Sequence, residues 1–279
     1  MVLPPPTMQL SLNPLVDAAV EEWKLVSSGG ATRVKRQAPQ TPLSFVVLWE
    51  CIELHTSLPV FVSMLAWYRA VRSWTAMRFD DHRGLAPAKL RLTAIGLRGT
   101  LVRTKTSGVG KRQEELDLHV DFRAYLKHPS WFRVGWGLWA MTDPNRDFFL
   151  GLPTPDLAGM RNIEARYPDA QAMSKALMCR CTQPDGSPIF FVGGSWNYWS
   201  EHSDRAFLTS VAACIPEVAS DWLDNVGRWS RRQSLQYVRT HLRRIAHIQQ
   251  LVASTAVISP DPLRDFGESD LYTAWATYM

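Results

Sequence analysis

From Pro59 to Met77 apolar residues recur at helical spacing, with Arg78 at the end of that helix, and a second such stretch, Pro42–Leu54, precedes it almost directly. Patterns of that length commit this part of the chain to packed helices. The periodicity then changes. Leu90–Ile95, Gly99–Lys105 and Glu115–Val120 alternate as the strands of a small antiparallel sheet do, with Ser107-Gly-Val-Gly110 as a hairpin tip. Helical spacing returns at Phe132–Met141, Asp169–Leu177, Asp204–Cys214, Pro216–Val226 and Arg231–Ala253, while Pro and Gly interrupt residues 129–200. The expected fold is α+β, mostly helical, with a three-stranded antiparallel sheet. Residues 1–42 read as an N-terminal arm or linker, 43–255 as one domain, and 256–279 as a C-terminal tail.

A chain of 279 residues is long enough to bury a sizeable core, and its 46% hydrophobic and 20% charged residues are those of a globular protein. Twelve tryptophans are many, and most belong in a core or an interface. The net charge of +5 permits an anionic partner without naming one. Its distribution says more: His82–Gln113 holds eight Lys or Arg and no acid, and Asn225–Pro260 holds six Arg and no acid. Cys51, Cys179, Cys181 and Cys214 lack the paired clusters of a zinc site, so no metal is expected. The Pro-broken start has no basic n-region, and no apolar run reaches membrane-spanning length. The expectation is an intracellular protein with no membrane partner.

Several residues have the chemistry to handle a phosphodiester. Arginine grips phosphate oxygens bidentately and stays protonated, which suits Arg78 and Arg205 to neutralising charge. His202 and Arg205 form H-x-x-R at a helix start, three residues apart and therefore on one face. His202 can accept and return a proton. Glu201 and Asp204 flank the motif and either orient His202 or only complement the helix dipole. Each residue also has a plainer reading. Arg78 can pair with Asp80 or Asp81, Lys105 can be a solvated strand-end charge, His202 can cap a helix or sit in a core, and Trp229 and Tyr237 can be packing residues.

The ordered set Arg78, Lys105, His202-Ser-Asp-Arg205, Gly227-Arg-Trp229-Ser and Gln236-Tyr237-Val-Arg239 resembles the catalytic domain of tyrosine recombinases, the integrase-type enzymes of phages and mobile elements. The resemblance spans roughly residues 45–250 and is closest to versions from eukaryotic mobile elements. It implies DNA cleavage and rejoining, as in site-specific recombination, integration or transposition. Tyr237 would be the nucleophile that forms a 3′-phosphotyrosine. Arg78 and Arg205 would clamp the phosphate, with Asp81 as an acidic helper. Lys105 would be the general acid on a β-hairpin, His202 the proton acceptor, and Trp229 a donor to the phosphate. Trp229 precedes Tyr237 by eight residues, where many members of the family have nine.

No cofactor is implied. Arg103, Lys111, Arg112, Arg228, Arg231, Arg232 and Arg239 would contact the DNA backbone, joined by Arg243 and Arg244. The implied partners are double-stranded DNA, other copies of the chain in a tetramer on DNA, and a separate N-terminal clamp domain, since about forty residues precede the pattern. The implied location is the nucleus or nucleoid. Two other functions stay open: a catalytically silent DNA-binding or scaffold protein with this fold, and a type IB-like DNA topoisomerase.

Overall fold

The computed structural model describes residues 39–102, 116–142, 145–179, 198–227 and 241–268. Every described residue lies in one compact unit, 38–279. Helix α1 (Leu43–Glu53) starts directly after Pro42, and its first N–H, on Leu43, is accepted by the Glu268 carboxylate from the far end of the chain. Helix α2 (Val60–Thr75) follows Pro59 and is buried at every position from Phe61 to Thr75. A helix apolar on one stripe needs one neighbour; one buried all round must sit at the centre. Accordingly α2 packs against α1, α4 (Trp131–Ala140), α5 (Tyr167–Met178) and α6 (Ser203–Ala213), and against strand β3 (Leu116–Asp121).

Tryptophans fill much of this centre, with Trp49, Trp67, Trp74 and Trp131 fully buried. Trp67 stands against Trp139 and Phe149, at ring separations of 6.2 and 5.9 Å. Gly135 of α4 makes this approach possible, because a Cβ there would lie 2.1 Å from the Trp67 ring.

The three-stranded sheet is antiparallel in the order β1 (Arg91–Leu92), β2 (Gly96–Leu101), β3, with Leu97 opposite Val120 and Arg98 opposite His119. Leu97, Leu101, Leu118 and Val120 turn one face into the core. On the other face, β3 meets helix α8 (His241–Ile258) through the buried Gln249. Gln249 Nε2 donates to the Trp74 carbonyl at 2.7 Å and the His119 carbonyl at 3.0 Å, while its Oε1 accepts the Asp121 N–H at 2.8 Å. One side chain therefore joins α8, β3 and the end of α2.

The fold is thus mostly helical α+β with a three-stranded antiparallel sheet, and it adds a two-stranded sheet of β4 (Gly151–Pro153) and β5 (Met160–Glu164). Several boundaries differ from the sequence expectation. The first strand pairs only over Arg91–Leu92, because Thr93 turns the chain by bonding the Gly96 carbonyl through both its N–H and its hydroxyl. The second strand begins at Gly96 rather than Gly99. Helix α7 (Ser220–Gly227) starts four residues after Pro216. Helix α2 stops at Thr75, so Arg78 is not at its end but N-terminal to the short helix α3 (Phe79–Arg83). Residues 256–268, read as part of a tail, include the end of α8, the short helix α9 (Pro262–Asp265), and the buried Phe266 and Glu268.

Replacing Gln249 by leucine should leave two carbonyls and one N–H without their partner in a buried site. We expect Gln249→Leu to lower unfolding stability by roughly 3 kcal/mol, seen as a lower urea midpoint with an unchanged slope.

Candidate functional site

The site is founded on a contradiction in α2. Its buried surface includes two arginines, Arg69 and Arg72, at 1% and 0% exposure. Buried charges require counter-charges, and they come from Glu201, just before α6, and Asp204 in its first turn. Arg69 donates to Glu201 Oε1 at 2.7 Å and to Asp204 Oδ1 at 2.8 Å. Arg72 bonds Glu201 Oε2 and lies 3.5 Å from Asp204 Oδ2. The match is one of spacing: two arginines three residues apart on α2 meet two acids three residues apart at the N-terminal entry of α6.

Ser174 and Thr41 complete the network. Ser174 Oγ accepts from Arg69 at 2.7 Å and donates to Glu201 at 2.6 Å, and the Thr41 hydroxyl donates to Asp204 at 2.8 Å. Burial works to raise the Glu201 pKa, but Arg69 and Arg72 outweigh it and hold the carboxyl at about 2. Burial raises the Asp204 pKa, and the neighbouring Glu201 charge adds to that against the two arginines.

This anchoring answers the question left open about the acids flanking H-x-x-R. Glu201 and Asp204 face inward to the arginines of α2, and the next position round the helix from each, His202 and Arg205, faces another way. His202 is exposed. Arg205 reaches the elbow between α2 and α3, where its Nη1 donates to the Ala76 carbonyl at 3.4 Å and lies 3.8 Å from Asp81 Oδ2.

The elbow is itself tightly made. Ala76 adopts the left-handed conformation (φ 49°), while its N–H and that of Met77 return to the Ser73 and Arg72 carbonyls in a Schellman closure. Asp81 Oδ2 then accepts the Arg78 N–H at 3.1 Å. The buried Asp81 carboxylate therefore touches both the backbone of Arg78 and the head of Arg205.

Asp81 thus joins the head of Arg205 to the backbone of Arg78 at this elbow, and His202 lies near enough to feel the charges of both residues. Partial burial lowers the His202 pKa below 6.5, and the charges of Arg72, Arg205 and Arg78 lower it further, against the pull of Asp80. The shift favours the neutral imidazole, the form that can accept a proton. His82 is fully buried against the Tyr68 hydroxyl at 2.9 Å, and burial, then Arg72 and Arg83, push its pKa well below the ordinary value.

Lys105, Trp229 and Tyr237 lie outside the described residues, as do Arg103, Lys111, Arg112, Arg228, Arg231, Arg232 and Arg239. Arg243 is exposed on α8, whereas Arg244 stacks 5.8 Å from the Trp222 ring, which itself contacts His247. Among the described residues no group of three His, Cys, Asp or Glu could hold a metal ion, and no helix is long and apolar enough to cross a membrane. Cys51, Cys179 and Cys214 are free thiols.

Sequence reasoning missed Arg69, Arg72, Ser174 and Thr41. The first two carried a signal: arginines one turn apart in an otherwise apolar helix demand partners, and Glu201 and Asp204 offer the same interval. No protein-family model matches the chain, and no curated protein matches it significantly.

The network also separates two kinds of ion pair. Arg69→Met strands buried carboxylates and should cost roughly 3–5 kcal/mol of unfolding stability. Arg83→Met breaks the bond to Glu164 (2.6 Å), whose partners are 33% and 32% exposed, and should cost less than about 1 kcal/mol. Chemical denaturation of both variants checks the contrast.

Proposed function

We propose that the protein is a DNA strand transferase that cuts and rejoins duplex DNA through a covalent phosphotyrosine, as its resemblance to tyrosine recombinases implies. The observation that carries the reading is that Asp81 joins the head of Arg205 to the backbone of Arg78, from segments more than a hundred residues apart, with His202 close enough to feel both charges. Two guanidinium groups and the N-terminal end of α6 favour a phosphate there. His202 offers a place for a proton.

In the proposed reaction the Tyr237 phenolic oxygen attacks phosphorus and passes its proton to His202. The bond from phosphorus to the 5′ oxygen breaks, and Lys105 protonates that oxygen. The product is a 3′-phosphotyrosine with a free 5′-hydroxyl, and the reverse attack by a 5′-hydroxyl releases Tyr237. Arg78 and Arg205 stabilise the charge that builds on the non-bridging oxygens. Trp229 donates a hydrogen bond to the same phosphate. The basic residues around Lys111 and Arg231 hold the flanking backbone, which makes affinity strongly salt-dependent. Strand exchange further requires several copies of the chain assembled on two duplexes, in the nucleus or nucleoid.

A nicked duplex that loses its 5′-hydroxyl strand on cleavage traps the intermediate. The expected result is a covalent protein–DNA adduct formed in EDTA, abolished by Tyr237→Phe and slowed about 10²–10³-fold by Arg205→Ala. Retention of DNA without any covalent adduct would contradict the proposal and favour a silent DNA-binding protein.

A further inference from the structure

The peptide group that leads into His202 is gripped at both ends. Its carbonyl, on Glu201, accepts a hydrogen bond from Arg72 Nη2, and its N–H, on His202, donates to Ser200 Oγ at 3.2 Å. The Glu201 side chain is held by the same arginine through Nη1. Around it the chain is closed further: Ser200 N–H donates to Ser203 Oγ at 3.0 Å, Ser203 N–H returns to the Ser200 carbonyl at 2.9 Å, and the His202 carbonyl accepts the Arg205 N–H at 3.2 Å. A peptide plane fixed at its oxygen and its nitrogen fixes the direction in which the next side chain leaves the backbone.

We infer that Arg72 is a positioning residue for His202, gripping the preceding peptide from inside the core while Ser200 grips it from outside, and presenting its buried charge to the imidazole. The grip needs the planar fork of arginine, since one guanidinium bonds a side-chain oxygen and a backbone oxygen of the same residue. The charge acts on a second property. Arg72 is completely buried, so water screens it little, and its charge opposes protonation of His202 together with Arg205 and Arg78, with Asp80 opposing them. A residue with no access to substrate thereby sets both the aim and the protonation of one that has it. This deepens the proposed strand-transfer chemistry and rests on it only for the role of His202 as proton acceptor.

The test is the double variant Arg72→Met/Glu201→Gln, which removes a buried cation and its anion together and so avoids leaving either charge stranded. His202 is titrated by NMR in the DNA-free protein, and adduct formation is followed against pH on the nicked duplex. The expected result is a His202 pKa that rises toward 6.5, with the acid limb of the cleavage profile moving the same way. The maximal cleavage rate should fall by about 10–100-fold. A purely structural role for Arg72 would lower thermal stability and leave the titration of the folded protein unmoved; that outcome overturns the inference. A risen pKa in a protein that forms no adduct even as wild type would keep the positioning and reject the recombinase reading. Should the double variant fail to fold, Ser200→Ala releases the other end of the same peptide at the surface without touching the buried charges. Slower cleavage with an unshifted His202 pKa is then expected, and wild-type cleavage overturns the inference.

Discussion

The pairing of Arg69 and Arg72 with Glu201 and Asp204 is the interaction on which the arrangement of the site depends. Helix α2 lies at the centre of the molecule and cannot turn its arginines toward water without withdrawing Trp67, Trp74 and the other rings buried beside them. The counter-charges must therefore come to α2. They come from the entry and first turn of α6, and this fixes both the rotation and the height of that end of the helix against the core. Burying charge in this way adds little stability in itself compared with well-packed apolar groups. What it gives is register, because a slip of α6 by one residue would bring His202 and Arg205 against two guanidinium groups in the core.

The consequence reaches the surface within one residue. With Glu201 and Asp204 facing inward, His202 and Arg205 take the adjacent face, and Arg205 extends to the α2–α3 elbow. There Asp81 links its head to the backbone of Arg78. Left-handed backbone at a non-glycine residue costs about 1–2 kcal/mol, and Ala76 adopts it where the Schellman closure and the bond from Arg205 both use its backbone. The elbow is thus tied to α6 from one side and to α3 from the other. A single buried carboxylate, Asp81, thereby holds the head of Arg205 beside the backbone of Arg78. Partial burial, and then the charges of Arg72, Arg205 and Arg78, lower the His202 pKa below its ordinary value.

Much of the helical framework was legible in the sequence. Proline marked the starts of α1 and α2, and apolar spacing gave α4, α5 and α6 to within two residues. The sheet followed from alternation, yet the two short strands β4 and β5 were not visible, because Met160–Glu164 is largely exposed on both faces and shows no alternation. Arg78 was misplaced by the same kind of reasoning. Helical periodicity does not register a left-handed residue when alanine rather than glycine occupies it. The burial of Phe266 and Glu268 was hidden for a different reason: a carboxylate that caps a helix 225 positions away leaves no local trace. Of the site, the residue types of H-x-x-R pointed to a shared face, but the role of the acids between them did not emerge, since that depends on what α2 presents to them. The equal intervals of Arg69/Arg72 and Glu201/Asp204 were readable only once the two helices were known to touch.

The central claim is that Arg72 and Glu201 act as one unit in holding α6 to α2. A double-mutant cycle on unfolding stability, with Arg72→Met, Glu201→Gln and the combination, measures this coupling directly. A coupling of about 2 kcal/mol or more is predicted, with the double variant more stable than the sum of the single losses allows. Losses that add to within about 0.5 kcal/mol would show that the two residues act independently, and would contradict the account.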